Sequence, residues 1–131
     1  VRKFIAQNLG AVLLLILASG CAVQQQPTQF SPLNASATPV RLRLDKQVDF
    51  SLSTGYSRTL KSGSLWTDIG SVTEGEVLKP YHGVFTLEGS NVQEAYLVVA
   101  SNNMLTGFYL PYEHKFSPIG TQISLPLSKQ E

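Results

Sequence analysis

Cysteine is nearly missing from this chain: Cys21 is the only one in 131 residues. A single thiol excludes an intramolecular disulfide and any metal site built from several thiolates. Histidine is scarce as well, limited to His82 and His114, with no H-x-x-x-H spacing of a zinc-binding helix. Charged residues make up 15% of the chain, and the densest basic group beyond residue 3 is Arg41-Leu42-Arg43. That is too little positive charge to grip a polyphosphate backbone, so nucleic acid is excluded as a partner. No phosphate-cradling glycine loop, no G-x-S-x-G elbow and no S-x-x-K occur. After residue 23 no segment keeps a 3.6-residue apolar period over three turns. The composition therefore points away from helices, cofactors and catalysis.

One long apolar run is present, and it stands at the amino end. Arg2 and Lys3 precede Phe4 to Leu17, which is interrupted only by Gln7 and Asn8, and small residues Ala18, Ser19 and Gly20 follow. Fourteen helical residues span about 21 Å, short of the roughly 30 Å hydrocarbon core of a bilayer. A basic start, a short apolar stretch and a small-residue exit are the parts of an export signal. Two readings compete: an uncleaved anchor helix over Phe4 to Val23, which the polar pair and the small residues argue against, and an ordinary signal peptide followed by Cys21 as an incidental thiol. Val1 is read as a GTG initiation codon translated literally.

Ala18-Ser19-Gly20-Cys21 resembles the lipobox of bacterial lipoproteins. The resemblance covers only this export segment; Ser19, Gly20 and Cys21 match the usual pattern, and Ala18 stands where Leu is usual. It implies a diacylglyceryl thioether on Cys21 and cleavage just ahead of it. Ala22 in place of Asp is similar to lipoproteins delivered to the outer membrane of Gram-negative bacteria. Acylation would also block a sulfur left without a partner in an oxidising compartment. Several acyl chains hold a protein where a single chain would not. The expected division is a signal peptide over 1–20, an acylated cysteine and flexible tether over 21–39, and one β-domain over 40–131. Loss of Arg2 and Lys3 takes ten basic residues to eight against nine acidic ones.

Residues 22 to 39 carry no charge and are punctuated by Pro27, Pro32 and Pro39. As a flexible linker they would reach about 60 Å extended and about 24 Å on average, holding the domain clear of the lipid. Phe30 and Leu33 are read as stray apolar residues of that linker, with docking onto the domain or a partner as the alternative.

Period-two alternation takes over from Val40. Val40, Leu42 and Leu44 share one face, and Val48, Phe50 and Leu52 repeat the pattern after a turn at Asp45-Lys46-Gln47. Further strands are expected within Tyr56 to Lys61, Ser64 to Val72, Val77 to Lys79 and Val84 to Leu87. Gly70 marks a bulge or a close backbone approach. Glu94 to Ala100 and Met104 to Leu110 form the strongest hairpin, turned by Ser101-Asn102-Asn103, because Asn tolerates positive φ. Gln122 to Leu127 ends the series, pushed to a sheet edge by Pro126. About seven or eight short strands suit the length of this all-β domain, a small antiparallel barrel or sandwich, with an SH3-like barrel as one form.

Tyr81-His82 and Tyr112-Glu113-His114 place aromatic and imidazole rings in loops. Exposed tyrosines grip partner chains or stack on sugars, so Tyr81, His82, Tyr112 and His114 are the candidate partner-binding residues, with Trp66 as a possible groove wall. Phe108 and Phe116 are read as core. No catalytic residue, metal site or cofactor is assigned. The expected function is that of a lipid-anchored, periplasm-facing outer-membrane protein whose non-catalytic domain binds or braces another envelope component. A peptidoglycan- or ligand-binding module is the alternative, and an envelope hydrolase the remote one.

Overall fold

β-branched and aromatic residues at every second position pack well on a pleated surface, and the chain pairs wherever that pattern holds. A computed structural model describes residues 25–130; the export signal and Cys21 lie outside the described residues. The strands in chain order are β1 (Gln26–Pro27), β2 (Ser31–Pro32), β3 (Arg41–Leu44), β4 (Val48–Ser51), β5 (Ser57–Leu60), β6 (Leu65–Val72) and β7 (Gly75–Pro80). They continue as β8 (Thr86–Leu87), β9 (Gln93–Glu94), β10 (Tyr96–Val99), β11 (Met104–Leu110), β12 (Lys115–Ser124) and β13 (Leu127–Lys129). The described residues include no helix.

Nine strands form one antiparallel sheet, in the order β1-β12-β11-β10-β7-β6-β3-β13, with β2 also paired to β6. The hairpins β4–β5 and β8–β9 stand apart as two small sheets. The β10–β11 hairpin forms where the sequence places it, with Asn103 at φ 62° accepting the left-handed turn position. The register of β6 against β7 shifts between Asp68 and Gly70, the bulge expected at that glycine. Pro126 falls between β12 and β13, and β13 pairs with β3 at one end of the sheet. The result is an all-β sandwich, not a closed barrel of the SH3-like kind.

One face of the large sheet carries Trp66, Leu78, Leu97, Phe108 and Leu110. The two small hairpins cover it with Phe50, Leu60, Phe85 and Leu87. Phe108 stacks between Phe50 at 5.8 Å and Phe85 at 5.9 Å. Each such fully buried side chain contributes about 1.5–3 kcal/mol of transfer free energy, so this layer dominates the fold.

The other face carries Val72, Val77, Val98, Tyr109 and Phe116, and its cover departs from expectation. Residues 26–32, read from sequence as part of a free tether, are held on the sheet. Gln26 pairs with Phe116 and Pro27 with Lys115 on the edge of β12, while Ser31 pairs with Ser71 and Pro32 with Gly70 on β6. Phe30, between these two contacts, stacks on Tyr109 at 5.4 Å. A Cβ at Gly70 would strike the Ser31 carbonyl and come within 2.7 Å of the Phe30 ring, so the missing side chain makes the seat. The folded body therefore begins well before Val40.

Candidate functional site

Tyr81 follows directly on β7, where its N–H donates to the Leu65 carbonyl at 2.9 Å. Its ring is 45% exposed and meets the His82 ring edge-on at 4.5 Å. The Arg41 guanidinium lies 3.7 Å from the centre of the same ring. A cation over an aromatic face contributes about 0.5–2 kcal/mol depending on exposure. Arg41 Nη1 also donates to Gln130 Oε1 at 3.4 Å, which ties the two chain regions together. The arrangement is a preformed aromatic and cationic patch that an incoming acidic or aromatic group can engage.

Tyr112 caps the turn between β11 and β12 and is 75% exposed. His114 in the same turn adopts φ 55°, and its atoms are engaged within the fold. Its N–H donates to the Leu110 carbonyl at 2.9 Å, its own carbonyl accepts from Thr28 N–H at 3.1 Å, and Nδ1 lies 3.2 Å from the Tyr109 hydroxyl. The second histidine is thus part of the frame that receives residue 28. Burial pushes the Tyr109 phenol above its ordinary value, and burial followed by the Glu94 carboxylate does the same for Tyr96. Both hydroxyls stay protonated and able to donate at neutral pH.

The two tyrosine–histidine pairs are not brought together. Tyr81 leans on Arg41 of β3, whereas Tyr112 closes β11, with β10 lying between β7 and β11. Among the described residues no hydrogen bond, ring contact or ion pair joins them. Trp66 is mainly a core residue: alternation along β6 turns it onto the core face, where it is 4% exposed and edge-on to Phe85 at 6.0 Å. Its indole N–H is satisfied by Ser64 Oγ at 3.1 Å. Only its edge reaches the surface, in a shallow groove shared with Gly63, Leu65, Pro80 and His82.

A cleft that the sequence did not reveal opens at the other side of the molecule. It has a volume of about 300 Å³ and lies between the tips of the β4–β5 and β8–β9 hairpins and strand β12. Gln25, Thr54, Asn91 and Gln93 line its rim, and Phe108 and Ile119 lie beneath. Gln25 Nε2 donates to Gln93 Oε1 at 3.2 Å, and Thr54 Oγ1 donates to the Glu88 carbonyl at 3.0 Å. Arg58 Nη1 sits 3.3 Å from Glu88 Oε1, so the nearest charges neutralise each other. Amides and hydroxyls over an apolar floor suit a neutral ligand. Its walls come from segments far apart in sequence, and Gln25 reads there only as linker.

Asp68 and Glu76 form a carboxyl pair, also unforeseen. Asp68 Oδ1 accepts from Gly70 N–H at 3.1 Å. A hydrogen bond to Asp68, then desolvation, then the Asp68 charge push Glu76 up to about 7. Glu76 therefore keeps its proton to higher pH than an ordinary carboxyl and loses it near neutrality. No group of three His, Cys, Asp or Glu side chains placed to hold a metal ion occurs among the described residues.

Set against protein-family models, curated proteins and solved structures, the chain matches none.

Proposed function

We propose that this chain is an outer-membrane lipoprotein, anchored through an acylated Cys21, whose non-catalytic β-domain binds or braces another protein of the cell envelope. The observation that carries the reading is the order of an apolar run, small residues and Cys21 in Ala18-Ser19-Gly20-Cys21. The domain faces the periplasm in this reading, and its contacts are the lipid and one envelope partner. The exposed Tyr112 and the Tyr81–Arg41 patch support the binding role, since tyrosine and arginine dominate the energetics of protein interfaces. His114 supports it less directly, by holding the Tyr112 turn in shape.

Metabolic labelling with palmitate tests the anchor. The native protein is expected in the membrane fraction carrying label, and Cys21→Ala is expected unlabelled; a bare thiol on the native protein by mass spectrometry refutes the anchor. Affinity capture from solubilised envelopes tests the binding role. Tyr81→Ala with Tyr112→Ala is expected to reduce recovery of a specific partner by about tenfold or more; unchanged recovery refutes the role given to these tyrosines.

The cleft at Gln25 and Gln93 favours a second reading, a module that binds a neutral ligand such as the glycan or peptide of the cell wall. Sedimentation with purified sacculi separates the two, because only this reading expects co-pelleting that Asn91→Ala with Gln93→Ala reduces.

A further inference from the structure

Gln25 is the first residue the structure describes, and it is already fastened: its side chain bonds Gln93 and the next residue pairs with Phe116. Four residue steps separate Cys21 from Gln25. Whatever their conformation, four residues reach at most about 14 Å. A domain of about 100 residues has a radius of gyration near 13 Å, hence a diameter above 30 Å. Such a leash keeps Gln25 within about 14 Å of the lipid, less than half the diameter of the body, and so holds the side of the body that carries Gln25 toward the surface.

From this we infer that the acylated protein rests on the bilayer through one defined face, formed by Gln25, the loop between β8 and β9 and the tip of the β4–β5 hairpin. The inference rests on the anchor proposed above and adds the orientation that the anchor imposes. The chemistry of the face agrees with a lipid headgroup layer as its occupant. Ser53, Thr54, Ser90 and Asn91 are exposed and uncharged, and Val92 is 70% exposed. Arg58 and Glu88 beside them are paired with each other. Such a face meets an anionic surface without repulsion and without stripping water from an unpaired charge. Tyr81 and Arg41 belong to the β7 and β3 side of the sheet, at least three strands from β12, and so remain turned to water where a partner can reach them.

The test uses the full acylated protein with one added cysteine carrying a fluorophore, in phosphatidylcholine–phosphatidylglycerol vesicles whose headgroups bear a nitroxide quencher. Asn91→Cys places the probe on the face in question. Lys46→Cys places it beyond the base of the β4–β5 hairpin, where Val48 pairs with Leu60, at the end opposite the tip. The probe at 91 is expected to lose most of its emission and the probe at 46 little. A spacer of about fifteen Gly/Ser residues after Ala22, with an average reach of about 20 Å, is expected to bring position 91 toward the level of 46. Equal quenching at both positions, with mass spectrometry showing Cys21 acylated, overturns the orientation and leaves the anchor standing. An unmodified Cys21 overturns both.

Discussion

Near pH 7 the carboxyl of Glu76 is half protonated, because Asp68 accepts its proton in a hydrogen bond, burial penalises its charge and the Asp68 charge opposes a second one. Its folded value, about 7, lies above the ordinary 4.5. Between those two pH values the folded chain holds a proton that the unfolded chain has released, so stability falls as pH rises through this window and levels off above it. Glu76 is solvent-exposed, which keeps the effect shallow. The urea midpoint of the native protein is expected to be higher at pH 5 than at pH 8. Glu76→Gln is expected to reduce that difference, as chemical denaturation at the two pH values will measure. Neither carboxylate stands out in the sequence: the two meet only once β6 pairs with β7.

At the scale of elements, the strap formed by β1, Phe30 and β2 is where structure and sequence part most clearly. Phe30→Ala removes the ring stacked on Tyr109 and is expected to cost about 2 kcal/mol, below the value for a fully buried phenylalanine because Phe30 is only partly covered. Gly70→Ala is expected to act in the same direction, since its Cβ meets that ring at 2.7 Å and its φ is +152°. Urea midpoints check both, and native-state proteolysis is expected to cut residues 25–39 faster in either variant. The β10–β11 hairpin, by contrast, was legible in advance, since Tyr96 to Leu110 carries its own alternation and its own turn residue. The strap was not. Its two pairings span two residues each and include Pro27 and Pro32. Its hold depends on the absence of a side chain at Gly70, far along the sequence. The candidate site divides the same way: the exposure of Tyr81 and Tyr112 followed from their loops, while the burial of Trp66 depended on which face of β6 met the small hairpins.

For the whole molecule, the amino-terminal strap is part of the body it was expected to suspend. A chain beginning at Gln24 is expected to keep the full urea midpoint, whereas one beginning at Val40 uncovers Tyr109, Phe116 and the valines around them and is expected to melt earlier. Thermal denaturation of the two purified fragments makes the comparison. The all-β class was readable because it depends on local alternation. The layering was not, because it depends on hairpins that fold back over the sheet.

The pairing scheme joins early strands to late ones: β1 closes on β12, β3 closes on β13, and Arg41 reaches Gln130, 89 residues away. Such ladders carry a large loop-closure cost and form late. A polypeptide threaded amino end first through a narrow channel therefore cannot lock until β12 and β13 have followed it through. The same topology that finishes the fold leaves an unfinished chain without its two closing ladders.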